Sequence, residues 1–412
     1  MSPAAPAALS TKGLFGLFCL SSYLLSVSYG TTFLLAMMLR THGGSESDAG
    51  TVISVAMLST FLAVIFSGHL TDLFGTTKAV AGAALLLAMA CVGFALVPTF
   101  GAAVLGFGLL LGLGWGLFYT LGPIIVAMLI EPARRVKYFA LLSGSMMSGI
   151  GTGPLLGRAS EALGYPLESA FLLAAVASLV GGMAFVLIGP KIQRQHATLG
   201  PVTVCKITLR ATRSVLRSKA VFSIVMVGLG GAIFGGLSSF QTSYANLKHL
   251  DYSLFFLGFM CAVITCRLLV AGFIVKRDPY VTSCILTALI VVSVLMLMFF
   301  VSSSATYLLA AMTLGVGYGL TYSVINGLAA NEAPSGYTAQ SLLLFSLAYF
   351  IGIFGFPWFA GQIIVSDGIP ALLSVLLVIA LCNWSITLGR VLWRRTRQTD
   401  ADNAAKSRVS VS

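Results

Sequence analysis

The stretch Leu111-Gly112-Leu113-Gly114-Trp115-Gly116-Leu117-Phe118-Tyr119-Thr120 returns 203 residues later as Leu314-Gly315-Val316-Gly317-Tyr318-Gly319-Leu320-Thr321-Tyr322-Ser323. Six of the ten positions are identical, all three glycines among them, and Leu113/Val316, Trp115/Tyr318 and Thr120/Ser323 are close exchanges. A copy placed half a chain away implies two halves built alike. In a membrane chain, two parallel halves put the working site between them.

The composition demands a membrane. Apolar residues make up 58% of the chain and charged residues 9%, with a mean hydropathy of +0.98. A soluble chain carries roughly a quarter charged residues. A lipid-embedded barrel would alternate polar with apolar positions, and these runs do not alternate. The seven cysteines have no metal-site spacing and outline no disulfide framework. The class is therefore all-α, a polytopic helical membrane protein.

Apolar runs occupy 13–39, 49–70, 79–98, 101–130, 137–157 and 167–190, then 220–246, 252–275, 280–301, 305–331, 338–365 and 369–392. Each is long enough for the ~20 residues that a helical span needs. The reading is twelve transmembrane helices in two six-helix bundles, 1–190 and 220–393, joined by a basic linker at 191–219 and followed by a polar tail at 394–412. Arg40-Thr41-His42-Gly43 follows the first run in place of a small-residue cleavage site, so that run reads as an uncleaved span. The tail after Arg397 is expected to be disordered.

Charge placement gives the orientation. With the N-terminus cytoplasmic, that side holds 20 of the 24 Lys and Arg, and the other holds only Arg40, Arg158 and Lys248. Short cytoplasmic loops are enriched in such residues, so both termini read as cytoplasmic, in a cell or plasma membrane. The same placement accounts for the net charge of +12 without nucleic acid. In the linker, Lys206, Arg210, Arg213 and Arg217 share a helical stripe opposite Val204, Ile207, Ala211 and Val215. That pattern suits a helix lying on anionic headgroups; the alternative is a solvated linker.

Two motifs carry a resemblance. Gly68-His69-Leu70-Thr71-Asp72-Leu73-Phe74-Gly75-Thr76-Thr77-Lys78 resembles the loop signature of the major facilitator superfamily, matching at Gly68, Asp72 and Gly75 with Lys78 one step late. Gly149-Ile150-Gly151-Thr152-Gly153-Pro154-Leu155-Leu156-Gly157-Arg158 is similar to that family's antiporter signature at Gly149, Gly153, Pro154 and Gly157, with Arg158 in place of the last glycine. The resemblance implies a monomeric carrier working by alternating access, latched on the cytoplasmic side at Asp72. It also implies export, and a cavity lined by spans one, four, seven and ten. Missing cations after Asp72 imply a weaker latch.

Absences narrow the chemistry. All twelve acidic residues sit in loops, tails or at span ends, and no histidine is mid-membrane. Proton-driven carriers usually keep an intramembrane carboxylate or histidine. The family's drug/proton antiporters place an arginine where this chain has Gly108. No nucleophile–base pair or clustered metal ligands lie inside the spans, so nothing points to an enzyme, a cofactor or a metal.

Arg267 is the one charge read inside a span, eight residues from the end of its run at 275 and so about 12 Å deep. It either binds a substrate carboxylate or braces a gate against helix carbonyls. Trp115 and Tyr119 are four apart and share a helix face; Tyr318, Tyr322 and Asn326 repeat the pattern. These, with Ser22, Ser26, Tyr29 and Thr32 in span one and Ser238, Gln241 and Thr242 in span seven, are the cavity candidates. They suit a small organic molecule moved by a secondary transporter. The competing readings are uptake or exchange of an organic anion on Arg267 and, more remotely, a non-transporting receptor.

Overall fold

The computed structural model describes residues 11–130, 135–199, 208–267 and 277–409. In the first half, span one is Thr11–Gly30, a 3-10 turn at Thr31–Leu34 and Leu35–Thr41. Spans two to six are Glu46–Phe74, Thr76–Leu96, Ala102–Leu129, Arg135–Ala162 and Glu168–Leu199. In the second half, span seven is Ala220–Ser239 with Gln241–Leu247, span eight opens with Ser253–Thr265, and span nine is Pro279–Leu295 with a π-turn at Met296–Phe300. Span ten is Ser304–Asn331. Thr338–Phe350 and a π-turn at Ile351–Gly355 begin span eleven, and Phe356–Val409 holds its remainder and span twelve, separated by Gly368 at φ 81°.

Among the described residues, nine helices are long and apolar enough to cross a membrane, the last being that merged pair. Ser253–Thr265 is a shorter apolar helix. With Arg135–Ala162, long but rich in Gly and Ser, twelve helical segments stand where the sequence places spans.

Span ends follow local chemistry. Ser45 with Asp48, and Ser303 with Thr306, form reciprocal caps that satisfy the free N–H groups opening spans two and ten. Asp278 caps span nine ahead of Pro279. Gly75 ends span two at φ 81°, a left-handed conformation that favours glycine. Large apolar side chains face outward at helical spacing, as Leu173, Val176, Val180, Met183 and Leu187 do on span six. Hydroxyls turn inward, where Ser28 meets Ser178 and Thr60 donates to the Gly112 carbonyl at 3.0 Å.

Loops alternate between two ends. The basic end carries the 72–78 turn, the linker and residues 277–279. In the linker, Thr208 caps a helix at Leu209–Leu216 that buries Ala211 and Val215 and leaves Arg210, Arg213 and Arg217 exposed. Lys206 lies outside the described residues. The tail differs from expectation, since the last helix continues through Val409. Its Ala, Arg and Gln content favours helix, and span twelve supplies a preformed nucleus.

Arg390 also differs. The sequence places it among loop cations, yet it is buried and grips Glu332 through two contacts of 2.5 and 2.6 Å. Both side chains are nearly closed off, at 9% and 8% exposure. The Tyr280 hydroxyl donates to the same carboxylate at 2.5 Å.

Candidate functional site: a tyrosine and arginine cluster between the halves

The repeated glycines build the scaffold of the site. A Cβ on Gly112 would lie 2.0 Å from the Ala56 carbonyl oxygen, and one on Gly116 would press on Thr60 and Ala63, so this edge of span four is seated on span two. Gly315 and Gly319 seat span ten on span eight in the same way, against Phe259 and Val263. The middle glycines turn elsewhere: Gly114 meets Ala83 of span three, and Gly317 meets Leu286 of span nine. Each glycine thus does the same packing task in both halves. Gly108 extends the ridge, with Val52 O 2.8 Å from where a Cβ would stand. An arginine has no room there.

With their glycine edges committed, spans four and ten turn their aromatics toward each other. Tyr119 and Tyr322 meet hydroxyl to hydroxyl at 2.8 Å. Tyr318 donates to the Tyr349 hydroxyl at 3.3 Å and stacks on Phe234, 4.9 Å between centroids. Trp115 stacks on Tyr29 of span one at 4.3 Å, and Tyr29 meets Phe354 of span eleven edge-on at 5.7 Å. Phe33 stacks on Phe256 of span eight at 5.3 Å. Aromatic pairs of this kind contribute about 0.5–1.5 kcal/mol each beyond burial.

Arg267 completes the cluster. It is 7% exposed, and its Nε donates to the Gly319 carbonyl at 3.4 Å. Its Nη1 donates to Ser143 of span five, on the other half. Tyr119, Tyr322, Tyr318 and Tyr349 lie in its neighbourhood. Among the described residues no carboxylate pairs with it. A guanidinium has five N–H donors, and Nη2 has no protein partner among those residues.

A family model described as Major Facilitator Superfamily matches residues 14–357. The chain belongs to the major facilitator superfamily. Two solved structures share its fold: the human organic anion transporter MFSD10 (TETRAN), at TM-score 0.67 and 16% identity over 92% of this chain and 99% of that one; and a POT family transporter in complex with 5-aminolevulinic acid, at TM-score 0.71 and 14% identity over 92% and 95%. A curated relative, the putative metabolite transport protein YwtG of Bacillus subtilis (strain 168), is 37% identical over 101 residues. That match spans 24% of this chain and 22% of the relative. The chain is accordingly a small-molecule transporter of this superfamily and not an enzyme.

Among the described residues of this superfamily member, a set of polar ties joins the halves at the end away from the basic loops. Arg158 of span five pairs with Asp251 before span eight at 2.7 Å. Tyr252 donates to Glu161 at 3.3 Å, and Ser243 to Glu46 at 3.0 Å. Spans two and eleven close in beside them, since a Cβ on Gly50 would meet the Pro357 carbonyl oxygen at 2.2 Å. Burial would raise the Asp251 carboxyl, but the Ser253 hydroxyl and N–H and the Arg158 guanidinium outweigh it and hold it below the usual carboxylate range.

At the basic end, Asp72 and Lys78 are exposed and no ion pair involves them among the described residues. The Gly68 carbonyl accepts from the Thr71 hydroxyl at 2.7 Å, and the Gly75 N–H donates to Thr71 O at 2.9 Å, so this turn is closed on itself. In span five, Gly149 and Gly153 seat the helix on Tyr23 and Gly30 of span one, Gly151 receives Met260 from the other half, Gly157 lies under Leu34, and Pro154 stands inside the helix.

The remaining candidates are spread out. Ser26 is buried, donates to the Ser22 carbonyl at 2.7 Å and packs on Gly149. Asn326 is half-buried with no hydrogen bond among the described residues. Gln241 Nε2, Ser238 Oγ and Thr242 Oγ1 are buried without hydrogen-bond partners among the described residues, at the break in span seven. Sequence reasoning missed Ser143, Tyr349, Phe350 and Phe354. The run Tyr349-Phe350 beside Gly352 was the available signal for span eleven.

Proposed function

We propose that this carrier moves a small organic anion, a carboxylate on an aromatic or otherwise apolar body, by alternating access. The supporting observation is Arg267: a buried guanidinium held between Gly319 of one half and Ser143 of the other, beside the Tyr119–Tyr322 contact, with no carboxylate partner among the described residues. A buried charge is costly unless paired and by default marks function. A substrate carboxylate would supply the partner and displace Ser143 from the guanidinium. The apolar body would enter between Tyr119 and Tyr322. Binding therefore competes with two contacts that join the halves at mid-depth, while the Arg158–Asp251 end is closed. We place both termini in the cytoplasm on charge placement, so the turn at Asp72 faces the cytoplasm. The glycine-proline run of span five seats span one, a task that export and uptake both need, and direction follows the gradient used. The chain is proposed to work as a monomer.

The test is transport into liposomes of a panel of labelled aromatic carboxylates and their neutral amides, with Arg267→Gln and Arg267→Lys. Arg267→Gln is expected to lower carboxylate affinity by at least tenfold and to spare any amide transport. Arg267→Lys should recover only part, because an ammonium lacks the planar fork. Carboxylate transport at unchanged affinity in Arg267→Gln sinks the reading.

A further inference from the structure

A cavity of about 630 Å³ opens on the outer wall of the second half, lined among the described residues by spans seven, nine and twelve and the end of span ten. Its volume is in the range that holds a small molecule, ~300–1,000 Å³. Among the described residues none of the first half lines it, which sets it apart from the cluster between the halves. Its floor is the Arg390–Glu332 pair, which closes a cation on an anion. Its rim is cationic and aromatic. Lys219 Nζ sits 4.9 Å from the Trp393 ring centroid, and the Arg394 guanidinium 4.8 Å from that of Tyr280. Arg394 also pairs with Asp278 at 2.7 Å, so three cations stand against two carboxylates. Among the described residues Lys219 has no acidic partner. Phe222 and Trp393 turn outward, 45% and 48% exposed, toward the lipid side of the helices.

We propose that this cavity is a headgroup site for an anionic phospholipid, with the phosphate on Lys219 and Arg394 and the acyl chains running along Phe222 and the outer face of span twelve. Charge, depth and chemistry agree. The cavity lies at the end that carries the basic loops, where anionic lipid gathers in the cytoplasmic orientation. Tryptophan beside a cation is the usual furniture of a membrane interface. Nothing here depends on Arg267 or on the substrate.

Gly389 offers a clean test, because it lines the cavity and a Cβ added there meets nothing within 4 Å. Gly389→Phe should fill the site without disturbing the helix, and Lys219→Glu should reverse its rim charge. Purified full-length protein would be incubated with phosphatidylglycerol or phosphatidylcholine and the retained lipid counted by native mass spectrometry, with thermal unfolding in detergent as a folding control. The wild type is expected to retain phosphatidylglycerol at least tenfold better than phosphatidylcholine, and both variants to lose that preference while unfolding as the wild type does. Equal retention of the two lipids overturns the proposal, as does undiminished preference in a folded Gly389→Phe. Displacement of the lipid by millimolar inorganic phosphate also overturns it, by showing a free-anion site.

Discussion

Tyr119 and Tyr322 hold equivalent places in the two halves, 203 residues apart, and their hydroxyls touch at 2.8 Å. Two equivalent residues of a two-fold arrangement can meet each other only at the axis, as in any self-complementary contact. The pair therefore marks the line about which the halves are related, and Arg267 is anchored beside it.

Removing either hydroxyl tests the pair. Tyr119→Phe and Tyr322→Phe should each weaken the contact by about 1 kcal/mol, the net worth of one hydrogen bond. The double variant should add little, since the second deletion removes nothing further. Thermal unfolding of the four proteins in detergent gives the coupling energy, and fully additive losses would contradict it.

The glycine ridges predict a matched pair of failures. Gly112→Ala and Gly315→Ala force a methyl onto a neighbouring helix backbone in the same manner, and each should destabilise by roughly 1–3 kcal/mol. Gly108→Arg should do worse and confer no proton coupling. Melting temperature and a pH-sensitive dye in proteoliposomes read the two effects.

The Arg158–Asp251 tie predicts a pH window. The Asp251 carboxyl is held low, so the folded state binds its proton less readily than an unfolded chain with a value of about 3.9. Its stabilisation is fully present above that value and is lost as pH falls through the lower folded one. Distances measured by spin labels across this end should stay constant from about pH 5 to 8. Asp251→Asn should lengthen them at every pH in that window. Both side chains are a third to a half exposed, so the energy is small, about 0.2–1 kcal/mol.

The Arg390–Glu332 pair is the opposite case. Glu332→Gln leaves a buried guanidinium with its main partner gone, and such a break costs about 3–5 kcal/mol. Replacing both, by Met and Gln, should restore much of that loss. Thermal unfolding with and without the second change separates a lost pair from a general packing defect.

Most of the architecture was legible because lipid imposes length: apolar runs of the right size at regular intervals became helices. The repeat at Gly112 and Gly315 marked two halves built alike, and the same glycine edge is packed in both. Which face of each span points inward was far less legible. A helix in lipid is apolar all round, so periodicity is silent and only unusual residues mark a face. Glycines and tyrosines did so in spans four and ten. Tyr349 and Phe354 did not stand out in an aromatic-rich span eleven, and a serine such as Ser143 is ordinary anywhere. Arg390 misled because a cation near a span end is normally solvated, and only the fold shows Glu332 closing over it.

A guanidinium at mid-depth, without a carboxylate partner among the described residues, also answers to voltage. In the proposed cycle the halves rock, and the membrane field falls first on one side of Arg267 and then on the other. The empty carrier then reorients with up to one elementary charge, worth up to about 2.3 kcal/mol per 100 mV. A bound monovalent anion would cancel that charge and leave the loaded step indifferent to potential.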